Sequence, residues 1–165
     1  MNDKNGKMVK DYIMEALLQL MDRKNYNDIT ITDITKRAGV NRVSFYRNFN
    51  DKDEIINEHL KKCDQQFNEK IKDNDNALYQ MLMYFSDNKR IINLLYKSKC
   101  QYLLVEHILS NWNYSKEDEN IIAYTKSAWA YFMLGWANEW YLRGMKETPE
   151  ELIQIFESIQ GKNKG

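Results

Sequence analysis

Arg42, Val43, Ser44, Tyr46, Arg47 and Asn48 crowd into one short stretch of the chain. Side chains of these types on one surface suit contact with a nucleic acid. A guanidinium can bond a guanine edge or a phosphate, the hydroxyls of Ser44 and Tyr46 can bond phosphate oxygens, and Val43 can meet a thymine methyl. The surrounding charge agrees: from Lys36 to Lys52 there are five basic residues (Lys36, Arg37, Arg42, Arg47, Lys52) against one acid, Asp51. The whole chain of 165 residues has a formal charge of zero, so any attraction to DNA must come from this local asymmetry. That suits a specific regulator better than a protein that coats chromatin.

The elements that must hold these side chains are legible in the stretch from Ile31 to Phe49, which spells two short helices around a tight corner. The first is expected to begin at Thr32, whose hydroxyl can cap free amides, with Ile34 and Ala38 on its inner face. Gly39 falls where a chain leaving a helix needs a left-handed backbone, and Val40 can plug the corner. Asn41 is a second capping residue, and from it a helix of about two turns runs to Asn48 with Phe45 and Phe49 on the buried side. At about 100° per residue, Val43 and Arg47 then point away from those aromatics, with Ser44 and Tyr46 on the flanks. Such a corner also occurs in ordinary helical bundles with solvated charges, and the pattern alone leaves that reading open.

The run Ile-Thr-Asp-Ile-Thr-Lys-Arg-Ala-Gly-Val-Asn-Arg-Val-Ser-Phe-Tyr-Arg-Asn-Phe-Asn-Asp-Lys-Asp-Glu-Ile resembles the N-terminal DNA-binding region of TetR-type transcriptional regulators, over roughly residues 8–60. The resemblance implies an all-helical homodimer whose third helix enters the major groove and whose C-terminal helices dimerise and often enclose a small ligand. It places Arg42, Val43, Ser44, Arg47 and Asn48 on the helix that reads bases or touches the backbone. It also places Tyr46 on a phosphate-contacting tyrosine, Thr32 at the start of the second helix, and Lys52 on the lysine that opens the fourth. The C-terminal hundred residues match only loosely, so neither effector nor target transfers.

Along the rest of the chain the periodicities are helical throughout, and the expected class is all-α with about nine helices. A first helix over about 8–23 carries Ile13, Ala16, Leu17, Leu20 and Met21 on one stripe. Tyr26 is expected under the helix-turn-helix. Asp51 can cap a helix of about six turns whose inner stripe is Ile56, Leu60, Cys63, Phe67 and Ile71, tying the head to what lies behind it. Polar residues 72–76 mark the one credible boundary. The expected division is a DNA-binding head over 1–50, a connecting helix over 51–72 and a helical dimerisation and effector domain over 73–165. Within the last part, helices are expected near 76–85, 88–97, 100–112, 116–143 and 149–160.

The longest of these is too apolar for one stripe, and a helix apolar on nearly all sides must be covered on nearly all sides. A partner subunit is the expected cover, with Ala128 and Gly135 permitting close approach, Phe132 beside them, and Trp136 or Trp140 as anchors. The last helix, with Pro149 at its first position, adds Leu152, Ile155 and Phe156. The competing reading is that these aromatics fill one protomer's own core. Tyr84, Phe85, Tyr96, Tyr102, Trp112, Trp129 and Tyr131 could instead line a pocket for a small apolar or aromatic effector. Where a pocket is small or absent, the trigger would be a protein partner, and the alternative reading is a co-activator controlled through the C-terminal helices.

No phosphate loop, zinc-protease motif or nucleophile elbow is present, so no enzyme is expected. His59 and Cys63 share a helix face, but two ligands do not make a metal site. No cofactor is expected. Two cysteines give no disulfide framework, and no apolar run reaches the roughly 20 residues a membrane helix needs. The expectation is a cytoplasmic homodimer on a near-palindromic double-stranded operator, its recognition helices meeting grooves about 34 Å apart. Repression is the mode the resemblance implies.

Overall fold

The structure is a computed structural model that describes residues 2–70 and 77–162, and all its regular elements are helices. They run α1 (Asn2–Met21), a short 3-10 turn (Tyr26–Asp28), α2 (Ile31–Ala38), α3 (Arg42–Tyr46) and α4 (Lys52–Lys70). Then come α5 (Ala77–Asp87), α6 (Lys89–Lys97), α7 (Tyr102–Asn111), α8 (Asn120–Leu142) and α9 (Pro149–Lys162). Among the described residues, no helix is long and apolar enough to cross a membrane. The boundary expected at 72–76 and the side chain of Ile71 lie outside the described residues.

Two helix starts differ from the sequence reading. The cap of α2 is Thr30, not Thr32. The Asp33 amide donates to Thr30 Oγ1 at 3.1 Å while the Thr30 amide donates to Asp33 Oδ2 at 3.0 Å. A carboxylate can close this reciprocal box only with the residue three before it, which fixes the start at Thr30. The second difference is α8, which begins at Asn120 and not near 116. Ser115 and Asp118 form a turn there, with the Ser115 amide donating to Asp118 Oδ2 at 3.1 Å and Lys126 reaching back to that same oxygen at 2.9 Å. In the other direction, α1 extends six residues earlier than expected.

The corner between α2 and α3 follows the expectation closely. Gly39 has φ 68° and ψ 28°, and the carbonyl of Thr35 accepts the amides of both Gly39 and Val40. A Cβ at Gly39 would meet nothing within 4 Å, so substitution costs only backbone conformation. Gly39→Ala is therefore expected to destabilise by about 1 kcal/mol, a fall in Tm of about 2–4 °C in a thermal melt. A fall several times larger would mean that the corner carries more than a backbone preference.

The buried residues form one continuous cluster from Ile13 on α1 to Leu152 on α9, so head and body share a core. Tyr26, 1% exposed, is the joint. Its hydroxyl donates to Asp53 at 2.6 Å and its amide to the carbonyl of Ser98, after α6, at 2.8 Å. Burial first and the neighbouring Asp53 carboxylate second push its phenol far above the usual range, which keeps it a donor. Around this joint α1 is clasped by ion pairs: Lys10 to Glu58 and Asp11 to Lys62 on α4, Glu15 to Arg90 and Asp22 to Lys97 on α6.

Candidate nucleic-acid interface and interhelical cavity

Recognition requires that α3 be held rigidly from behind and left bare in front. Asn41 caps it, accepting the Ser44 amide at 2.7 Å, and Asn48 closes its far end by donating to the Ser44 carbonyl at 2.7 Å. Phe45 is fully buried and Phe49 nearly so, their ring centroids 6.3 Å apart, and Tyr46 meets Phe45 edge-on. On the opposite side Val43 is 60% and Tyr46 52% exposed. Arg42 and Arg47 are exposed beside them, and Ser44 is half-buried on the flank.

Several cations on and just after α1 and on the helices packed against it are paired. Lys10, Lys24, Lys62, Arg90 and Lys97 each meet a carboxylate within 3.4 Å. Among the described residues no acid pairs with Lys36, Arg42 or Arg47. Unpaired cations on one face are available to phosphates and base edges in a way that paired ones are not. Thr32 sits exposed in the first turn of α2, free of the capping role assigned to Thr30. Lys52 is placed differently. Its ammonium donates to the carbonyls of Tyr26 at 2.6 Å and Ile29 at 3.1 Å and stands over the Tyr26 ring, so it fastens the loop beneath the helix-turn-helix to α4.

On the body, a second bare surface runs along α8. Ile121, Tyr124, Ala128, Tyr131, Gly135 and Leu142 are all exposed, and their steps of three and four residues, with a last step of seven, set them on one seam. Ile155 and Ile159 on α9 are also exposed. The bulkier candidates for anchors turn the other way. Phe132 and Trp136 pack against Phe156 with ring centroids 6.0 and 5.7 Å apart, while Trp140 and Leu152 are buried at 3% and 6% exposure. Those five residues cement α8 to α9 and the core within the protomer. The aromatic residues left on the seam are Tyr124 and Tyr131, flanked by Ile121 and Leu142.

Between α4, α5, α7 and α8 lies a cavity of about 740 Å³, within the range that holds small molecules. Tyr84 and Trp129 line it, together with Phe67, Trp112 and Phe132. Tyr102 does not; it stands exposed at the start of α7, in the field of Asp53. Sequence reasoning missed the cavity's polar end. Asp64 Oδ2 accepts from His107 Nε2 and from Asn111 Nδ2, both at 2.8 Å. Burial pushes the Asp64 carboxyl upward, but the hydrogen bonds from His107 and Asn111 outweigh it and hold the group below its ordinary range. The signal was present: Asp64 falls on the inner stripe with Leu60 and Phe67, and His107 with Leu103 and Leu104, polar residues at core positions. His59, by contrast, faces the Met14 sulfur at 3.1 Å.

Residues 13–59 match the model of a family described as bacterial regulatory proteins, tetR family. The chain is 28% identical to the biofilm operon icaADBC HTH-type negative transcriptional regulator IcaR of Staphylococcus aureus (strain Newman), over 82% of this chain and 83% of that one. It has the same identity and coverage with the IcaR of Staphylococcus epidermidis. Its fold matches the crystal structure of Lin0861 from Listeria innocua with a TM-score of 0.72, over 97% of this chain and 93% of that chain, at 16% identity.

Proposed function

From a chain that is a TetR-type regulator, with the family's DNA-binding domain at residues 13–59, we infer a transcriptional repressor that acts as a homodimer on a two-fold operator and is released by an effector. Regulators of this family bind DNA and are not enzymes. Repression is supported by the Staphylococcus relatives, which are negative transcriptional regulators. The observation that carries the reading is the α3 surface, where Arg42 and Arg47 lack acidic partners among the described residues and Val43 and Tyr46 are bare although nothing local requires it.

In this reading Arg42, Val43, Ser44, Arg47 and Asn48 face the groove, Tyr46 and Thr32 meet phosphates, and Lys52 acts from behind by holding the loop that carries α2. The α8 seam and the α9 isoleucines meet their counterparts on a second copy, with Ala128 and Gly135 where the helices come nearest. The two heads then address successive major grooves about 34 Å apart. The effector enters the cavity beside α4. Since Asp64 and Phe67 lie on the same helix as Lys52, a displacement at the cavity is carried to the head and alters the spacing of the two α3 helices. The setting is the bacterial cytoplasm.

Selection of bound duplexes from a random library tests this, with affinity then measured across salt. A near-palindrome is expected. Arg47→Ala is expected to weaken binding by about 10- to 100-fold, with a salt slope about one unit shallower if Arg47 meets a phosphate and unchanged if it reads a base. Unchanged affinity at every salt concentration would remove α3 as the reading surface.

A further inference from the structure

The cavity holds ionisable groups whose surroundings differ sharply, and that difference bears on what it accepts. Lys126 is paired, donating to Asp118 at 2.9 Å and to the carbonyl of Asn113 at 3.0 Å. Asp64 is held mainly from one side: the hydrogen bonds from His107 and Asn111 both fall on Oδ2. The Tyr84 hydroxyl is buried beside Asp64: burial first and the Asp64 carboxylate second push its phenol above the usual range, and the hydroxyl in turn helps hold Asp64 low. Asp64, its side chain 23% exposed, therefore stands as the negative group at this end of the cavity, and among the described residues no cation other than the His107 side of the pair is beside it.

The remainder of the wall is aromatic. Phe67 and Tyr84 meet edge to face at 5.4 Å, and Trp129 and Phe132 do so at 5.2 Å, with Trp112 at the rim. We propose that the cavity takes an amphipathic monocation, a compact apolar body among these rings with a single protonated nitrogen at Asp64. The inference rests on the reading of this cavity as the effector site and adds the chemical class of the effector.

The reason is what happens to Asp64 when a ligand displaces water. A neutral apolar ligand would strip solvent from the carboxylate and return nothing, an uncompensated cost. An anion would add repulsion. A cation replaces the lost solvation with direct attraction, and the ring faces add cation–π stabilisation in a desolvated setting. His107, 4% exposed, and Asn111, both part of the cavity wall, hold Asp64 in place, so the acceptor is positioned before the ligand arrives.

Phenylbutylamine, phenylbutanol and phenylbutyrate share one hydrocarbon body and differ in charge. Titrated calorimetrically into the full chain at neutral pH, the amine is expected to bind at least about tenfold more tightly than the alcohol, with the carboxylate weakest. Asp64→Asn, checked for folding by thermal melting, is expected to erase the gap between amine and alcohol while leaving alcohol affinity within about threefold. Trp129→Leu, at a half-exposed position that the fold tolerates, is expected to weaken the amine more than the alcohol. Equal binding of amine and alcohol, or a gap that survives Asp64→Asn, would overturn the proposal. Tightest binding by the carboxylate would also overturn it, with Lys126 as the governing charge. The same compounds are added to the complex with the selected duplex. Release by the alcohol as readily as by the amine would sink the cation while leaving the effector site standing. Binding of none of the three, with duplex affinity intact, would sink both readings of the cavity and leave the DNA-binding reading untouched.

Discussion

Tyr131→Glu is expected to yield a folded protomer that no longer pairs and binds its operator about 10²- to 10⁴-fold more weakly. Tyr131 is 61% exposed on the α8 seam, so a carboxylate there disturbs no packing within the protomer. In a symmetric dimer the same residue from each copy lies near the two-fold axis, and two like charges desolvated together oppose association strongly. The loss of affinity follows from valency. A dimer binds its second half-site intramolecularly, and an unpaired head forfeits that advantage in full. Sedimentation, circular dichroism and operator titration on one preparation separate the possibilities. A monomer with native helicity and weak binding is the expected outcome, and a dimer of unchanged strength would move the interface elsewhere.

Phe45→Ala is expected to be the most damaging single change in the head. The ring is fully buried between α3 and the helices behind it, against Phe49 and Tyr46. Removing it takes away apolar burial and leaves a void, a combined cost of about 3–5 kcal/mol. That is a large part of the 5–15 kcal/mol typical of a whole domain. A drop in Tm of about 10 °C or more is expected, with operator binding lost even where the body remains folded. The control lies on the other face of the same helix. Val43→Ala should shift stability by no more than about 0.5 kcal/mol while changing preference at one base pair. If Phe45→Ala melted like Val43→Ala, the two faces would have been assigned the wrong way round.

The head was almost wholly legible in the sequence, because its determinants are local. Gly39 must be left-handed, Asn41 must cap, and Phe45 and Phe49 must share a side, which leaves Val43 and Arg47 outward. The misplacement of one cap, Thr32 for Thr30, came from overlooking the reach of Asp33. In the body, most helix boundaries fell close to the short polar breaks, the start of α8 excepted, and the fold class follows from them. The facing of α8 did not. Its seam and its core side are both apolar, so periodicity could not say which aromatics turn inward. Only the packing of Phe132 and Trp136 on Phe156 decides that. The cavity's acid was hidden for another reason. Asp64 and His107 stand 43 residues apart and meet only because α4 and α7 pack together.

The ion pairs that clasp α1 have a consequence for how binding to DNA responds to salt. Lys10–Glu58, Lys62–Asp11, Arg90–Glu15 and Lys97–Asp22 join the head to α4 and α6 through side chains that are 35–67% exposed. Each contributes little and is screened readily. Added electrolyte therefore acts twice, once by competing for the phosphates and once by loosening the ion pairs that supplement the shared core in holding the head on α4 and α6. A logarithmic plot of affinity against salt will be steeper than the number of displaced counterions alone, and read naively it counts phosphate contacts that α3 never makes.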